Sequence, residues 1–449
     1  MTSTDLQFNP QRLPPQPGLL EDMHAQALRA RIRRVMSAAS QQDLYALKAP
    51  DEKLDELIPA CSLYGASALE YFASQTLHPE KIPGQRAASV FLHLALALQM
   101  DDPGLLQLVR AYWPLQAQAT LEALWFFPVP RNLFEVRQQH IAQLCKAAQN
   151  DRHLWPLCLE LIGRCDYQAG RAAAQALLQD ADYAGAALLA LARLGQPATQ
   201  LTNLHSLAEY ACQGEAENNG WLEVLLHIIS CQPRAASDQI LQILQAQQPQ
   251  RAELAWAIFA MRYPRQMMQQ AMAAPQHLAA DWYWRVLGLC GWLDGVLAAL
   301  QILSQQEDAL SIAQRDFLML SLGSIPPEAR QTPFDPAAFG AALHSALLET
   351  LRTLGLTLAP GAEYLQGPAR WDAQALFGGA APELRLRHGR LISAIPALGQ
   401  ELLALSHAAR QWLYLERAEL ARHPLSLQAL DVFRRQQSAL MIAEVSDAL

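Results

Sequence analysis

Apolar residues recur along this chain on a helical period, in runs of about 10–18 residues broken by Pro, Gly or Asp/Asn. Ala184, Ala187, Leu188 and Leu191 fall at i, i+3, i+4 and i+7, and Leu310, Ala313, Phe317 and Leu320 nearly repeat the spacing. Prolines at 83, 103, 156, 197, 233, 249, 264, 275 and 326 stand at or near the edges of such runs, where a missing N–H is tolerated. The pattern predicts helices over 51–63, 65–77, 84–100, 103–112, 115–126, 133–148, 152–164, 168–179 and 182–194. The series continues with 200–213, 218–231, 234–247, 250–262, 264–273, 276–290, 292–304 and 307–322.

One phrase is nearly said twice. Leu94-Ala-Leu-Ala-Leu-Gln-Met-Asp-Asp-Pro103 is echoed by Leu189-Ala-Leu-Ala-Arg-Leu-Gly-Gln-Pro197, and each ends an apolar run in a polar break and a proline. Paired helices of these lengths give a repeat of roughly 30–35 residues, at the short end of the HEAT range. Runs of small residues, Ala172–Ala174 in one helix and Ala186–Ala187 in the next, permit close helix approach. The expected fold is all-α: an α-solenoid of HEAT-like helical hairpins with a C-terminal helical cap.

The punctuation divides the chain. A Pro-rich arm covers 1–18 and an N-terminal helical segment 19–50, on which Leu28, Ile32, Val35 and Met36 form the expected apolar face and Arg29, Arg33 and Arg34 a basic one. The repeat array covers 51–323, a Pro/Gly-rich linker with one helix (336–354) covers 324–380, and the cap covers 381–449. Helices are expected in that cap over 381–405, 407–422 and 425–446. A solenoid needs such a cap, because its last repeat otherwise exposes a stacking face.

Composition supports the helical reading. Among 449 residues, 51% are hydrophobic, 17% are charged and only ten are Val, so a large core is available but few strand-favouring residues are. The formal net charge of −8 argues against nucleic acid as a partner, which would need a basic stripe for phosphates. The opening residues are polar and proline-rich, unlike a secretory leader, and charged or Gln residues interrupt every apolar run, so no membrane span is expected. Cysteines 61, 145, 158, 165, 212, 231 and 290 are scattered without a CxxC pair and read as reduced thiols of a cytoplasmic protein.

Catalytic and metal-binding signatures are missing from the sequence: no GxxxxGK[ST], HExxH, GxSxG or GxGxxG occurs. No enzyme activity, cofactor or metal is therefore expected. Two clusters suit binding instead. Trp282, Tyr283 and Trp284 are consecutive on one helix, and successive residues lie about 100° apart, so at least one is expected near the surface, where aromatics favour interfaces. Arg385, Arg387 and Arg390, with His388, form a basic run suited to an acidic partner surface.

Several phrases resemble a HEAT-repeat family encoded in bacterial type VI secretion gene clusters. Asp43-Leu44-Tyr45-Ala46-Leu47 precedes Asp51-Glu52-Lys53-Leu54-Asp55-Glu56-Leu57, and Gly65-Ala66-Ser67-Ala68-Leu69 follows. Later comes Gly361-Ala362-Glu363-Tyr364-Leu365-Gln366-Gly367-Pro368, with Arg385 and Arg390 downstream. The family has no catalytic residues to transfer. The resemblance implies a protein-binding adaptor or chaperone for a type VI effector, or for a PAAR or spike protein. The alternatives are an immunity protein that blocks a cognate toxin and, further off, an enzyme on a HEAT scaffold.

Overall fold

A computed structural model describes residues 17–39, 45–126, 131–194, 260, 262–273, 280–331 and 333–392, together with 405, 406, 409, 410, 412–414 and 416. The helices expected over 200–213, 218–231, 234–247 and 425–446 lie outside these residues, as does most of the Pro-rich arm. The described chain is mostly helical, as an all-α protein should be, with one two-stranded hairpin. Among the described residues no helix is long and apolar enough to cross a membrane.

Ten helices make up the first block: α1 (Pro17–Ala39), α2 (Tyr45–Ser62), α3 (Ala66–Thr76), α4 (Gln85–Gln99), α5 (Leu105–Tyr112), α6 (Ala117–Phe126), α7 (Arg131–Ala148), α8 (Trp155–Arg164), α9 (Arg171–Leu177) and α10 (Ala184–Arg193). Each even-numbered helix packs on the helix before it. The even helices also meet one another in order, α2 on α4, α4 on α6, α6 on α8 and α8 on α10. The central helix α4 is buried along its whole middle, Ala88 through Leu98, because neighbours cover it on several sides. Where α8 meets α10, a Cβ on Gly163 would stand 3.1 Å from the Ala190 Cα, so a missing side chain sets the helix separation.

Two helix ends in this block are built alike. Asp101 after α4 and Asp166 after α8 adopt left-handed backbone, φ 51° and 50°. The next N–H turns back to the helix: Asp102 donates to Ala97 O and Tyr167 to Ile162 O, both at 2.9 Å. These bonds satisfy carbonyls the last turn would orphan, and Asp is among the few non-glycine residues that tolerate the conformation. The following helices then start from glycines of nearly equal backbone angles, Gly104 (φ −79°, ψ −7°) and Gly170 (φ −78°, ψ −9°).

The second block comprises α11 (Pro264–Ala273), α12 (Ala280–Cys290), α13 (Leu293–Leu303), α14 (Ile312–Leu322), α15 (Pro336–Thr353) and α16 (Ala373–Phe377), followed by β1 (Leu386–Arg387) and β2 (Arg390–Leu391). Its main contact is α12 on α14, where Gly288 lies against Phe317 and Leu320. Buried apolar residues fall into two clusters, one per block, and Leu47 of α2 joins the second.

Three expectations need correction. Helix α1 buries Leu20, Met23, His24, Ala27, Ala30, Arg31 and Arg34, a regular i, i+3, i+4, i+7 stripe, and leaves Val35 and Met36 exposed. The apolar-only reading chose the wrong face because two of its inward residues are arginines. Helix α2 starts at Tyr45, six residues before the expected 51, and runs through Pro50 and Pro59. The helix expected over 381–405 does not form at its start, since 386–391 is an antiparallel hairpin pairing Leu386 with Leu391 and Arg387 with Arg390.

Candidate functional site

The hairpin turns on His388 and Gly389, both at positive φ (52° and 70°), the two-residue geometry that suits the twist of antiparallel strands. It lies across the C-terminal ends of two helices, where carbonyls have no partner within the helix. Leu386 N–H donates to Gly291 O at 2.7 Å, His388 N–H to Leu320 O at 2.7 Å, and Gly389 N–H to Ser321 O at 3.1 Å. Arg385 Nε donates to Cys290 O at 2.7 Å and Arg387 to Leu289 O at 2.9 Å. Two guanidinium groups thus sit where the dipole of α12 is negative. His388 Nδ1–H adds a bond to Met319 O at 2.9 Å.

This placement decides much about the basic run. Arg387 is buried and forms a bidentate pair with Glu416, at 2.6 and 3.2 Å. Arg385 is half-buried, and burial lowers its affinity for a proton, with Arg387 adding repulsion and Glu416 opposing it. Arg387 is therefore an internal ligand of the fold and is not offered to a partner surface. Arg390 is exposed on β2.

The aromatic run is also corrected in part. Tyr283 and Trp284 are buried, their rings 5.2 Å apart and edge-on, and Trp284 lies 5.7 Å from Phe317 of α14. Both wedge between α12 and its neighbours, so the interface role expected of them lacks the exposure it needs. The side chain of Trp282 lies outside the described residues. The structure nonetheless brings the two expected clusters to one helix, since α12 carries the aromatics and its end receives the arginines.

The charges that sequence reasoning missed are those that need a distant partner to be recognised. Asp316 on α14 accepts from Ser406 N–H at 3.0 Å, Ser406 Oγ at 2.6 Å and Arg285 Nε at 3.3 Å. Burial pushes its carboxyl up, against the pull of those donors. In the first block Arg34 donates to Asp51 at 2.5 Å, and Arg31 pairs with Glu122 while lying 4.1 Å over the Phe91 ring. Glu160 accepts from Arg164 at 2.7 Å and Arg193 at 2.8 Å, bridging α8 to α10. Burial opposes its charge, but the two arginines prevail and hold it down to about 2. All these groups face partners inside the fold.

A different surface faces outward. Turns within successive helix pairs touch along one edge: Thr76 and Tyr112 hydroxyls at 3.3 Å, Trp113 Nε1–H to His153 O at 2.9 Å, and Tyr183 Oη–H to Arg152 O at 3.0 Å. On this edge Leu77 is 84% exposed, Leu115 74% and Ile82 55%. Leu77 follows Thr76 directly, and Leu115 lies three residues past Tyr112, so the two flank one contact. Of the three, Ile82 alone had a signal in the sequence, an apolar residue inside the break between Pro79 and Pro83. Leu77 and Leu115 fell at the ends of the expected helices 65–77 and 115–126 and lie just outside α3 and α6. Apolar groups projecting from turns can bury against another protein, whereas the buried ion pairs can only hold helices together. The chain matches no protein-family model, no curated protein and no solved structure.

Proposed function

We propose that this chain is a non-catalytic α-solenoid of HEAT-like hairpins that binds another protein in the cytoplasm, as an adaptor or chaperone for a type VI effector or spike component. The observation that carries the reading is the ordered contact of α2, α4, α6, α8 and α10, each backed by the helix before it. Stacked hairpins of this kind offer extended faces and edges to a partner rather than a single cleft. The alike junctions at Asp101 and Asp166 support a repeated unit, and α12 on α14 supports a similar step in the second block. The exposed edge at Leu77, Ile82 and Leu115 supplies the apolar groups that would meet the partner. The type VI setting rests on the resemblance carried by the phrases at 43–69 and 361–368.

The test is deletion in the native host together with affinity purification of the full chain. The adaptor reading expects an effector or PAAR/spike protein to co-purify and its secretion to fail on deletion. It also expects the paired change Leu77→Ser and Leu115→Ser to reduce that capture while leaving the melting temperature unaltered, since both side chains are exposed. Secretion that survives deletion would overturn it, and a deleted strain poisoned by a neighbouring toxin would establish the immunity reading in its place.

A further inference from the structure

Helix α1 carries a second apolar stripe besides the one that packs it on α2 and α4. Ala25, Leu28, Ile32 and Val35 follow one another at intervals of three, four and three residues, the a/d spacing of a coiled-coil seam, and Met36 extends it. Ala25, Leu28 and Ile32 are half-buried, whereas Val35 is 46% and Met36 66% exposed. Leu28 leans on the first core cluster, and Ile32 joins neither cluster. Arg29 and Arg33 flank the stripe, both exposed, and among the described residues neither forms an ion pair. Their neighbours three and four positions away are Ala25, Gln26 and Ile32 for Arg29, and Ala30, Met36 and Ser37 for Arg33, with no carboxylate among them. The remaining neighbour of each is the other arginine, and like charges at that spacing repel. We propose that this face of α1 is a docking seam for an acidic amphipathic helix of a partner protein, whose apolar residues cover Leu28, Ile32, Val35 and Met36 while its flanking carboxylates pair with Arg29 and Arg33.

Charge selects the occupant. The chain carries a net charge of −8, yet here it sets two unpaired arginines beside an apolar seam, a local positive site that an acidic helix complements. A guanidinium can hold a carboxylate by two parallel hydrogen bonds, and carboxylates four residues apart on a partner helix match the spacing of Arg29 and Arg33. The seam runs for about 15 Å, nearly three helical turns, which suits one helix laid against another. A second copy of this chain would bring arginine to arginine. A lipid surface is the poorer fit, because the seam has no Trp or Phe and because Glu21 and Asp22 stand exposed on the first turns of the same helix. The seam lies on a different element from the edge at Leu77, Ile82 and Leu115, and it takes its helix whatever that edge binds.

The experiment titrates the full chain into a fluorescent heptad peptide of about 21 residues, with Leu at a and d and Glu at e and g, and into a twin with Lys at e and g, and reads anisotropy. The Glu peptide should bind at least about tenfold more tightly than its Lys twin, and added salt should narrow the gap. Arg29→Glu with Arg33→Glu should reverse that order, and Val35→Ser with Met36→Ser should weaken both peptides. Leu77→Ser with Leu115→Ser, which test the other edge, should leave the affinity for the Glu peptide unaltered. Equal affinity for the twins, or no saturable binding of the Glu peptide, would overturn the proposal. So would sedimentation with anionic phosphatidylglycerol vesicles that the arginine variant abolishes, which would assign the face to a membrane, or a dimer of the chain that the Val35/Met36 variant dissolves. The wild-type preference between the two peptides decides even where a variant fails to fold.

Discussion

Glu160 is where the first block is most dependent on charge, and its removal tests whether α8 and α10 are held by that bridge. In Glu160→Gln the shape is kept, but Arg164 and Arg193 lose a shared anion, and Arg193 is itself buried. The unfolded carboxyl titrates near 4.5 and the folded one at about 2. Because the folded value is depressed, the stabilisation is present above 4.5 and fades as the pH falls toward 2. The difference corresponds to about 3 kcal/mol at pH 5 and above, dropping to about 1.4 kcal/mol at pH 3. The Glu160 side chain keeps one-fifth of its exposure, so solvent screening makes about 2 kcal/mol the safer expectation at pH 7. Urea unfolding of wild type and variant at pH 5 and pH 3, followed by far-ultraviolet circular dichroism, reads the difference. Hydrogen exchange at pH 7 should place the loss of protection in α8 and α10. A variant within about 0.5 kcal/mol of wild type at pH 5 would refute the reasoning, as would a gap that does not shrink at pH 3.

Other perturbations separate packing from charge. Gly291 has φ +67°, and a Cβ there would stand 2.3 Å from Leu386 O, so Gly291→Ala should cost about 3 kcal/mol, whereas Gly361→Ala (φ +84°, open space) should cost about 1 kcal/mol; equal melting temperatures for the two would contradict the hairpin's placement. Arg387→Ala leaves Glu416 buried without its guanidinium and should cost about 3 kcal/mol, while Arg390→Ala on the exposed strand should change little. Chemical denaturation of both variants distinguishes them. His24 is held neutral by burial, its value lowered to about 4 from 6.5, between Tyr71 and Phe72. Folding must exclude its charged form, so stability should decline as the pH falls from 6.5 to 4, and His24→Phe should flatten that slope. A slope unchanged by the substitution would show that the proton is taken up elsewhere.

The helices were legible where one apolar stripe pays no attention to charge. Helices α3, α4, α5 and α6 begin and end within two residues of where the hydrophobic period put them, because Pro, Gly or Asp breaks flank each. Helix α14 starts later than its expected 307, at Ile312, and the sequence did carry the reason. Ser311 and Gln314 form a reciprocal capping box, with the Ser311 N–H donating to Gln314 Oε1 at 2.7 Å. The hairpin was also written in plain form. Leu384-Arg385-Leu386-Arg387-His388-Gly389-Arg390-Leu391 alternates apolar and basic residues around a His-Gly turn, a strand period that an expectation of helices passed over. The inward faces of Arg31, Arg34 and Arg387 were not legible. A buried arginine is recognisable only from its carboxylate, and Glu122, Asp51 and Glu416 lie 91, 17 and 29 residues away. The candidate site suffered most from this, since Arg387 and the Tyr283–Trp284 pair look like surface features until their partners are in place.

The hairpin also sets an order of events during synthesis. Neighbouring helices of the first block can pack as soon as each pair is made, so their contacts close short loops. The end of α12 is finished only when residues 95 to 98 positions later return to Leu289 and Cys290, and Arg387 then waits for Glu416. Closing such long loops is slow, and uncovered apolar surface invites association meanwhile. On the ribosome, then, adjacent helix pairs of the first block emerge able to pack at once, with Arg31 waiting 91 residues for Glu122, while α12 and α14 stay unfinished until nearly the whole chain has been translated.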